Sequence, residues 1–587
     1  SLSKIGVKMN VRLNEMRPHG DVFEQPVSRQ IWETKYQFRI GSRPVDQTVN
    51  DTWRRVADGL ASIETSSERD VWAAKFYDAM EDFKLIPGGR ILAGCRTGRD
   101  VTLCNTFVMK TIPDSLSGIM DTIKDAALTM KMGGGIGFDF STLRPHGAPV
   151  HGLGCSAAGP LPAMDICDAV CKMVVSGMGR GAMMATLRCD HPDIETFIQA
   201  KSDPKRLRNF NLSVLITDRF MEAVQQDAPW DLTWEGRTLR TVAARDLWGS
   251  ILRQTFETAE PGVLFIDRIN EANGLNYLET IAATNSCAEQ PLPPDGACPL
   301  ASINLARLVQ APFTSAAYFD LPQLENLAMI AVRMLDNTLD VSRYPLDAQK
   351  NEAQNKRRIG IGVTGVADAF LMIGVRYGSG MAKSMLGKWM QTIQNAAYRA
   401  SAMLAQERGS FPAYRQDAHL KNRNILALKS DVQRTIALSG LRNGLVTTIA
   451  PTGTTSLFAG NVSSGIEPIF SAEFHRKIIL PDGTTASEKV MDYAVGIYRN
   501  LYGNSAPLPE AFVTVDDLKP QDHVNMQAAA QKWIDSGISK TVNCPEDISF
   551  QDFEQVYLDA YASGCKGCTT FRPNAITGTV LSHEQGG

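Results

Sequence analysis

The reading of this chain turns on Thr284-Asn285-Ser286-Cys287-Ala288-Glu289-Gln290-Pro291-Leu292-Pro293-Pro294-Asp295-Gly296-Ala297-Cys298. Three polar residues alternate near its start: Asn285, Cys287 and Glu289. In an extended segment that spacing sends all three side chains to one face. The sequence therefore predicts a thiol flanked by an amide and a carboxylate. The run from Pro291 to Gly296 must turn, and a second thiol follows at Cys298. Two buried cysteines in a loop would be ordinary packing, because Cys is among the most buried residue types. An amide and a carboxylate beside the first thiol fit packing poorly, since buried polar groups need partners. The stretch reads as a reactive loop.

Composition bounds what surrounds it. At 587 residues the chain is too long for one ordinary core, so two domains or one large α/β barrel are expected. The formal charge is −3, from 60 basic and 63 acidic residues, which argues against polymeric nucleic acid as a partner. No apolar run approaches the roughly 18 residues of a membrane span, and no secretion signal is visible. A cytoplasmic location with no membrane partner is expected. The 11 cysteines lack a framework spacing and read as reduced thiols. The 8 histidines form no paired motif, so no metal site is predicted.

Before the reactive loop, residues 1–95 read as a mostly helical region, with Trp53, Val56, Leu60, Phe76, Met80 and Phe83 at helical spacing, closed by Pro87-Gly88-Gly89. A short apolar strand, Thr102 to Met109, carries Cys104 near its start. Asp114-Ser115 is a normal cap for a helix running through Lys131. The cluster Gly133-Gly134-Gly135-Ile136-Gly137 lacks the Gly-Lys-Ser/Thr ending of a Walker loop and leads to Arg144-Pro145. Cys167 and Cys171 share one face of the helix from Asp165 to Met178 and read as core. Gly179-Arg180-Gly181-Ala182 is a connection. Lys201 to Ser213 is a basic, proline-containing loop before a strand.

After the reactive loop, residues 320–345 form an amphipathic helix. Arg357 to Asp368 is a strand running into a turn. Asn443 to Ile449 reads as a strand followed by Pro451-Thr452-Gly453-Thr454-Thr455-Ser456. A glycine-containing turn with a hydroxyl-rich helix start can cradle a phosphate, or simply cap the helix. The last strand reads Gly564-Cys565-Lys566-Gly567-Cys568-Thr569-Thr570-Phe571-Arg572. A lone Cys-x-x-Cys can mark a dithiol or metal site, but no second such pair exists here, so structural roles are preferred for Cys565 and Cys568.

Taken in order, these motifs resemble ribonucleotide reductase large subunits over about residues 50–575. Asn285-Ser286-Cys287-Ala288-Glu289 resembles the family's finger loop, with Ala288 where relatives often carry Gly. The resemblance implies an α/β fold: a ten-stranded α/β barrel of two five-stranded halves around the finger, over residues 96–580. The helical region 1–95 precedes it, without a pattern for the family's ATP cone, and a short tail, 581–587, follows. It implies that Cys104 and Cys298 are a redox pair, and that Pro451 to Ser456, with Asn211, bind substrate. Asp114, Lys131, Arg144, Ser202, Lys205 and Arg206 are implied to bind a dNTP effector, Asp114 at the ribose and Arg144 at the phosphates. His151 stands near a second effector arginine of some relatives. The loop from Lys201 to Arg208 is implied to carry the effector's identity to the substrate base.

The implied activity is reduction of ribonucleotides to 2′-deoxyribonucleotides by a thiyl radical on Cys287. Glu289 is the implied general base and Asn285 the holder of the substrate hydroxyls, while Cys104 and Cys298 supply electrons and end as a disulfide. Reductases that draw their radical from a second subunit carry two adjacent tyrosines on the last strand. Thr569 and Thr570 stand at those places. The resemblance therefore implies adenosylcobalamin as the radical source. A large subunit served by a metal-containing radical partner is the alternative, and a silent dNTP-binding regulatory subunit is disfavoured by Asn285, Cys287 and Glu289 together. A homodimer is implied. No cysteine follows Cys568, so a small dithiol or a tail-bearing partner chain is expected to reset the disulfide.

Overall fold

The computed structural model describes residues 22–175, 182–479 and 482–575. The connection at 179–181 and the tail 581–587 lie outside the described residues. The helical spacing between Trp53 and Phe83 resolves into two helices, α1 (Val49–Ala61) and α2 (Arg69–Met80). Thr48 caps α1 by accepting from Asp51 N–H, and Asp51 returns the bond as a capping box. The buried face of α1 carries Trp53, Val56 and Leu60.

Five strands then form a continuous parallel ladder. They are β1 (Thr106–Val108), β2 (Gly135–Asp139), β3 (Met183–Arg188), β4 (Phe210–Ile216) and β5 (Gly262–Phe265), paired in that order. Strands buried on both faces read as nearly continuous apolar runs, and β3 and β4 do. Their core is aromatic: Phe138, Phe140 and Phe210 lie 5.4–6.3 Å apart, centre to centre. Helices α3 (Leu116–Lys131) and α4 (Pro160–Val174) pack together beside this half. Ser115, rather than Asp114, caps α3 through Gly118 N–H.

The hairpin strands β6 (Ala283–Thr284) and β7 (Pro291–Leu292) follow, pairing Thr284 with Pro291. Then β8 (Ala297–Cys298) returns antiparallel to β1, with Cys298 opposite Thr106. One residue on, β9 (Leu300–Asn304) pairs with β10 (Gly360–Thr364) in parallel and with Leu85–Pro87 antiparallel. The strand expected over Asn443 to Ile449 is reduced to single parallel bridges, Ile361 to Thr447 and Ile449 to Ile538. Side chains take part of the ladder's place there. Asp535 accepts from Val446 N–H at 2.9 Å, and Thr447 Oγ1 accepts from Asp535 N–H at 2.9 Å. Finally β11 (Thr541–Asn543) pairs in parallel with β12 (Gly567–Phe571). β12 meets β5 antiparallel, so β8, β1 to β5, β12 and β11 form one eight-stranded sheet, while β9, β10 and Leu85–Pro87 form a separate three-stranded sheet.

Ion pairs anchor the second half. Asp336 on α5 (Leu321–Val341) is fully buried and receives Arg357 at 2.8 Å, Arg442 at 3.2 Å and Asn443 at 3.0 Å. Arg357 and Asn443 flank the starts of β10 and of the 445–449 segment, so one carboxylate sets both. A buried carboxylate survives only with such a set of partners.

Candidate active site

The hairpin between β6 and β7 carries the reactive loop. Residues 285–290 turn rather than extend, so Asn285, Cys287 and Glu289 do not share a strand face as their alternation predicted. Asn285 N–H donates to Gln290 O at 3.1 Å, and Asn285 Oδ1 accepts from Gln290 N–H at 2.9 Å. Closing the turn places Ala288 at φ 68°, a left-handed conformation that glycine adopts freely and alanine does not. Asn285 and Glu289 are buried by this turn, while Cys287 remains exposed.

Both halves of the fold grip the loop. From β4, Asn211 Nδ2 donates to Ser286 O at 2.8 Å. From the second half, Thr448 Oγ1 and Gly537 N–H both donate to Glu289 O, at 2.6 and 2.8 Å. Two glycines make the approach possible. A Cβ on Gly137 would meet Thr284 O at 1.7 Å, and one on Gly537 would meet Ala288 O at 2.6 Å.

Burial pushes the Glu289 carboxyl up to about 7, and a hydrogen bond from Asn285 works against it. Glu289 Oε2 is buried without a hydrogen-bond partner among the described residues, an acceptor poised for a donor. Burial raises Cys298 well above the ordinary thiol range, and Cys104 and Glu289, close enough to act through their charge, add to the rise. Cys104 is pushed up to about 12 by burial, against hydrogen bonds with Ser342, Tyr344 and Thr102. Cys298 is thus near both Cys104 and Glu289, and all three are buried, while Cys287 is exposed.

Cys287 looks onto a cavity of about 760 Å³ whose lining includes Asn211, Pro451, Ser463, Ser464, Glu467 and Thr569. Of the expected phosphate loop, only Pro451 lines it. The Thr452 and Ser456 hydroxyls are bound to each other and to Thr364, each at 3.0 Å, and so shape the loop from behind. Thr569 and Thr570 both line the cavity, Thr569 exposed and Thr570 buried with its hydroxyl 2.8 Å from that of Tyr557. Cys565 and Cys568 are both buried.

The expected effector residues divide. Asp114 and Arg144 come together, joined by a 3.0 Å ion pair and by Arg144 N–H to Asp114 Oδ1 at 3.1 Å. Arg206 instead pairs with Asp165 on α4 at 2.9 Å, and the Ser202 hydroxyl bonds Gln199. Lys131 and the Lys205 backbone stay at the surface near the same elements. At its two ends the 201–208 loop reaches the cavity, through Lys201 and Arg208. Lys201 is paired there with Glu260. Sequence reading passed over Glu260, Gln527 and Lys540 as lining residues. The one available signal was Lys540 and Lys566 within strand-like runs, since lysine is almost never fully buried without partners.

The model of the "Ribonucleotide reductase, barrel domain" matches residues 104–571, and that of its "all-alpha domain" matches residues 22–100. A vitamin B12-dependent ribonucleoside-diphosphate reductase of Mycobacterium tuberculosis is 35% identical over 565 residues, covering 92% of this chain and 76% of its own. One of the same description from Thermoplasma acidophilum is 34% identical, covering 92% and 70%. A ribonucleoside-diphosphate reductase subunit alpha of Chlamydia pneumoniae is 26% identical, covering 91% and 58%.

Proposed function

The chain belongs to the ribonucleotide reductase large-subunit family, and from that premise we infer that it reduces ribonucleotides, as diphosphates, to 2′-deoxyribonucleotides and depends on adenosylcobalamin. The observation that carries this reading is Cys287, exposed on a cavity at the tip of a loop whose neighbours Asn285 and Glu289 are buried.

The cavity suits the cofactor. It is large and half-open, mixes apolar walls such as Ile469, Phe470 and Phe474 with hydrogen-bonding groups, and includes the unpartnered Gln527 Oε1. When bound beside Cys287, adenosylcobalamin supplies the one-electron oxidation that makes the thiol a thiyl radical. The Cys287 thiyl takes the hydrogen from C3′ of the substrate, forming S–H and breaking C–H. Glu289, with Oε2 open, accepts the 3′-hydroxyl proton, and Asn285 keeps its carboxylate aimed. The 2′-hydroxyl then leaves as water. Cys104 and Cys298 together provide the two electrons and the two protons, one proton for the departing water and one for C2′, and close a disulfide; Glu289 gives its proton back to the 3′ oxygen and Cys287 returns its hydrogen to C3′. Burial keeps the two redox thiols from bulk water.

Control by a dNTP across a homodimer is part of the proposal. Leu116, Met120 and Leu128 on α3 and Ile166 and Met173 on α4 leave an apolar face 42–76% exposed, which a second copy would cover. The Asp114–Arg144 pair lies at the start of that face, ready to open onto a ribose and a phosphate.

The deciding experiment measures deoxyribonucleoside diphosphate formed from each ribonucleoside diphosphate, with a small dithiol, with and without adenosylcobalamin and dNTPs. Product that requires adenosylcobalamin and shifts in base preference with the dNTP supports the reading. Product formed without it would return the reading to a metal-containing radical partner.

A further inference from the structure

Beside β11 and β12 the cavity carries a carboxylate, Glu467, that the reduction of substrate does not use. Glu467 is 26% exposed at its side chain and receives Lys540 Nζ on Oε1 at 2.8 Å. Lys540 is completely buried, and its three other-side partners are all acceptors: Glu467, His523 Nδ1 at 2.7 Å and Thr541 O at 2.7 Å. Three acceptors match the three donors of an ammonium group. Thr541 N–H reaches the same carboxylate at 3.3–3.4 Å. Glu467 is thus held in place by two partners while its side chain stays partly open to the cavity. An independent feature stands on the same wall. Gln527 is 3% exposed, lines the cavity, donates its amide to Gly567 O at 3.1 Å and leaves Oε1 without a partner. The wall therefore offers the cavity two fixed acceptors, the Glu467 carboxylate and Gln527 Oε1.

A fixed carboxylate facing open space is suited to a cis-diol, whose two hydroxyls can both donate to it. The substrate's own ribose hydroxyls are engaged at the finger by Asn285 and Glu289. A second ribose with a cis-diol is present in the reading above, on the adenosyl group of the cofactor. We propose that Glu467, braced by Lys540, binds the ribose cis-diol of that adenosyl group and positions it beside Cys287, with Gln527 Oε1 taking a further donor. This rests on the cofactor reading of the preceding section.

The test uses the full chain with saturating cytidine diphosphate and three probes. Hydroxocobalamin, which has no adenosyl group, is titrated by its visible spectrum. 5′-Deoxyadenosine and 2′,5′-dideoxyadenosine are titrated by calorimetry. Wild type should bind 5′-deoxyadenosine about tenfold or more tightly than the analogue lacking one hydroxyl, because a site built to hydrogen-bond a hydroxyl rejects its absence. E467Q should lose most of that discrimination while binding hydroxocobalamin as wild type does. If wild type binds hydroxocobalamin but takes the two nucleosides equally, or takes neither, the proposal falls and the cofactor reading stands. If hydroxocobalamin does not bind, both fall. The wild-type comparison needs no variant to fold.

Discussion

The two halves of the fold are built on different principles. From β1 to β5 five parallel strands satisfy one another in an unbroken ladder over an aromatic core of Phe138, Phe140 and Phe210. Between β10 and β11 the ladder thins to single bridges at Thr447, Ile449 and Ile538, and buried polar groups hold the chain instead: Asp336 with its arginines, Asp535 with Thr447. The difference matters for the finger. A backbone fully used in its own ladder has little left to offer a neighbour. The interrupted half has Gly537 N–H and the Thr448 hydroxyl to spend on Glu289 O, the carbonyl of the proposed base. The first half is scaffold, touching the finger through the Asn211 side chain at Ser286 O, and the second clamps the carbonyl of Glu289 itself.

The largest expected effect lies where the clamp ends. Cys287→Ser should leave no detectable turnover while thermal stability and nucleotide binding stay near wild type. Substantial residual reduction would remove Cys287 from the thiyl role and the meaning of the clamp with it.

Glu289→Gln should lower kcat by about 10²–10⁴, the usual contribution of a positioned base. Since burial holds this carboxyl up to about 7, wild-type kcat should rise as pH climbs through that value, and the variant should lose the rise. Stability has the opposite slope. The folded chain keeps this proton between about 4.5 and 7 where the unfolded chain has lost it, so stability falls with rising pH across that window. Urea titrations at several pH values should show a shallower fall in the variant.

A matched pair compares the halves directly. Thr448→Val removes one donor to Glu289 O and should cost about 1 kcal/mol of stability and about tenfold in kcat, through misplacement of the base. Phe140→Leu in the first half should cost about 1 kcal/mol as well, with kcat nearly unchanged. Equal kinetic losses in the two variants would mean that scaffold and clamp are not distinct.

Smallest is Ala288→Gly. Relief of the left-handed strain at φ 68°, less glycine's greater unfolded freedom, should stabilise the chain by about 0.5–1 kcal/mol. A destabilised variant would show that the alanine methyl contributes more by packing than its backbone costs.

Much of this was legible without coordinates, because some constraints are local. Turn chemistry at Pro293-Pro294-Asp295-Gly296, the cap at Ser115, the helix begun by Asp320 and the apolar runs of β3 and β4 depend on residues near one another in sequence. The residue types at Asn285, Cys287 and Glu289, and the hydroxyls at Thr569 and Thr570, bounded the chemistry in the same way. Their alternation was misleading in one respect: a period of two describes a strand, and a six-residue hairpin turn brought the polar groups together instead. What only the tertiary structure decided depends on partners far apart in the chain. Cys298 is set opposite Thr106, two residues from Cys104, because β8 returns antiparallel to β1. Thr448 and Gly537 reach Glu289 across 159 and 248 positions, and Lys540 can be a buried cation only because Glu467, His523 and Thr541 O surround it. Local pattern carries propensity and residue chemistry. Burial, and with it the protonation and reach of each group, is a property of the assembled neighbours.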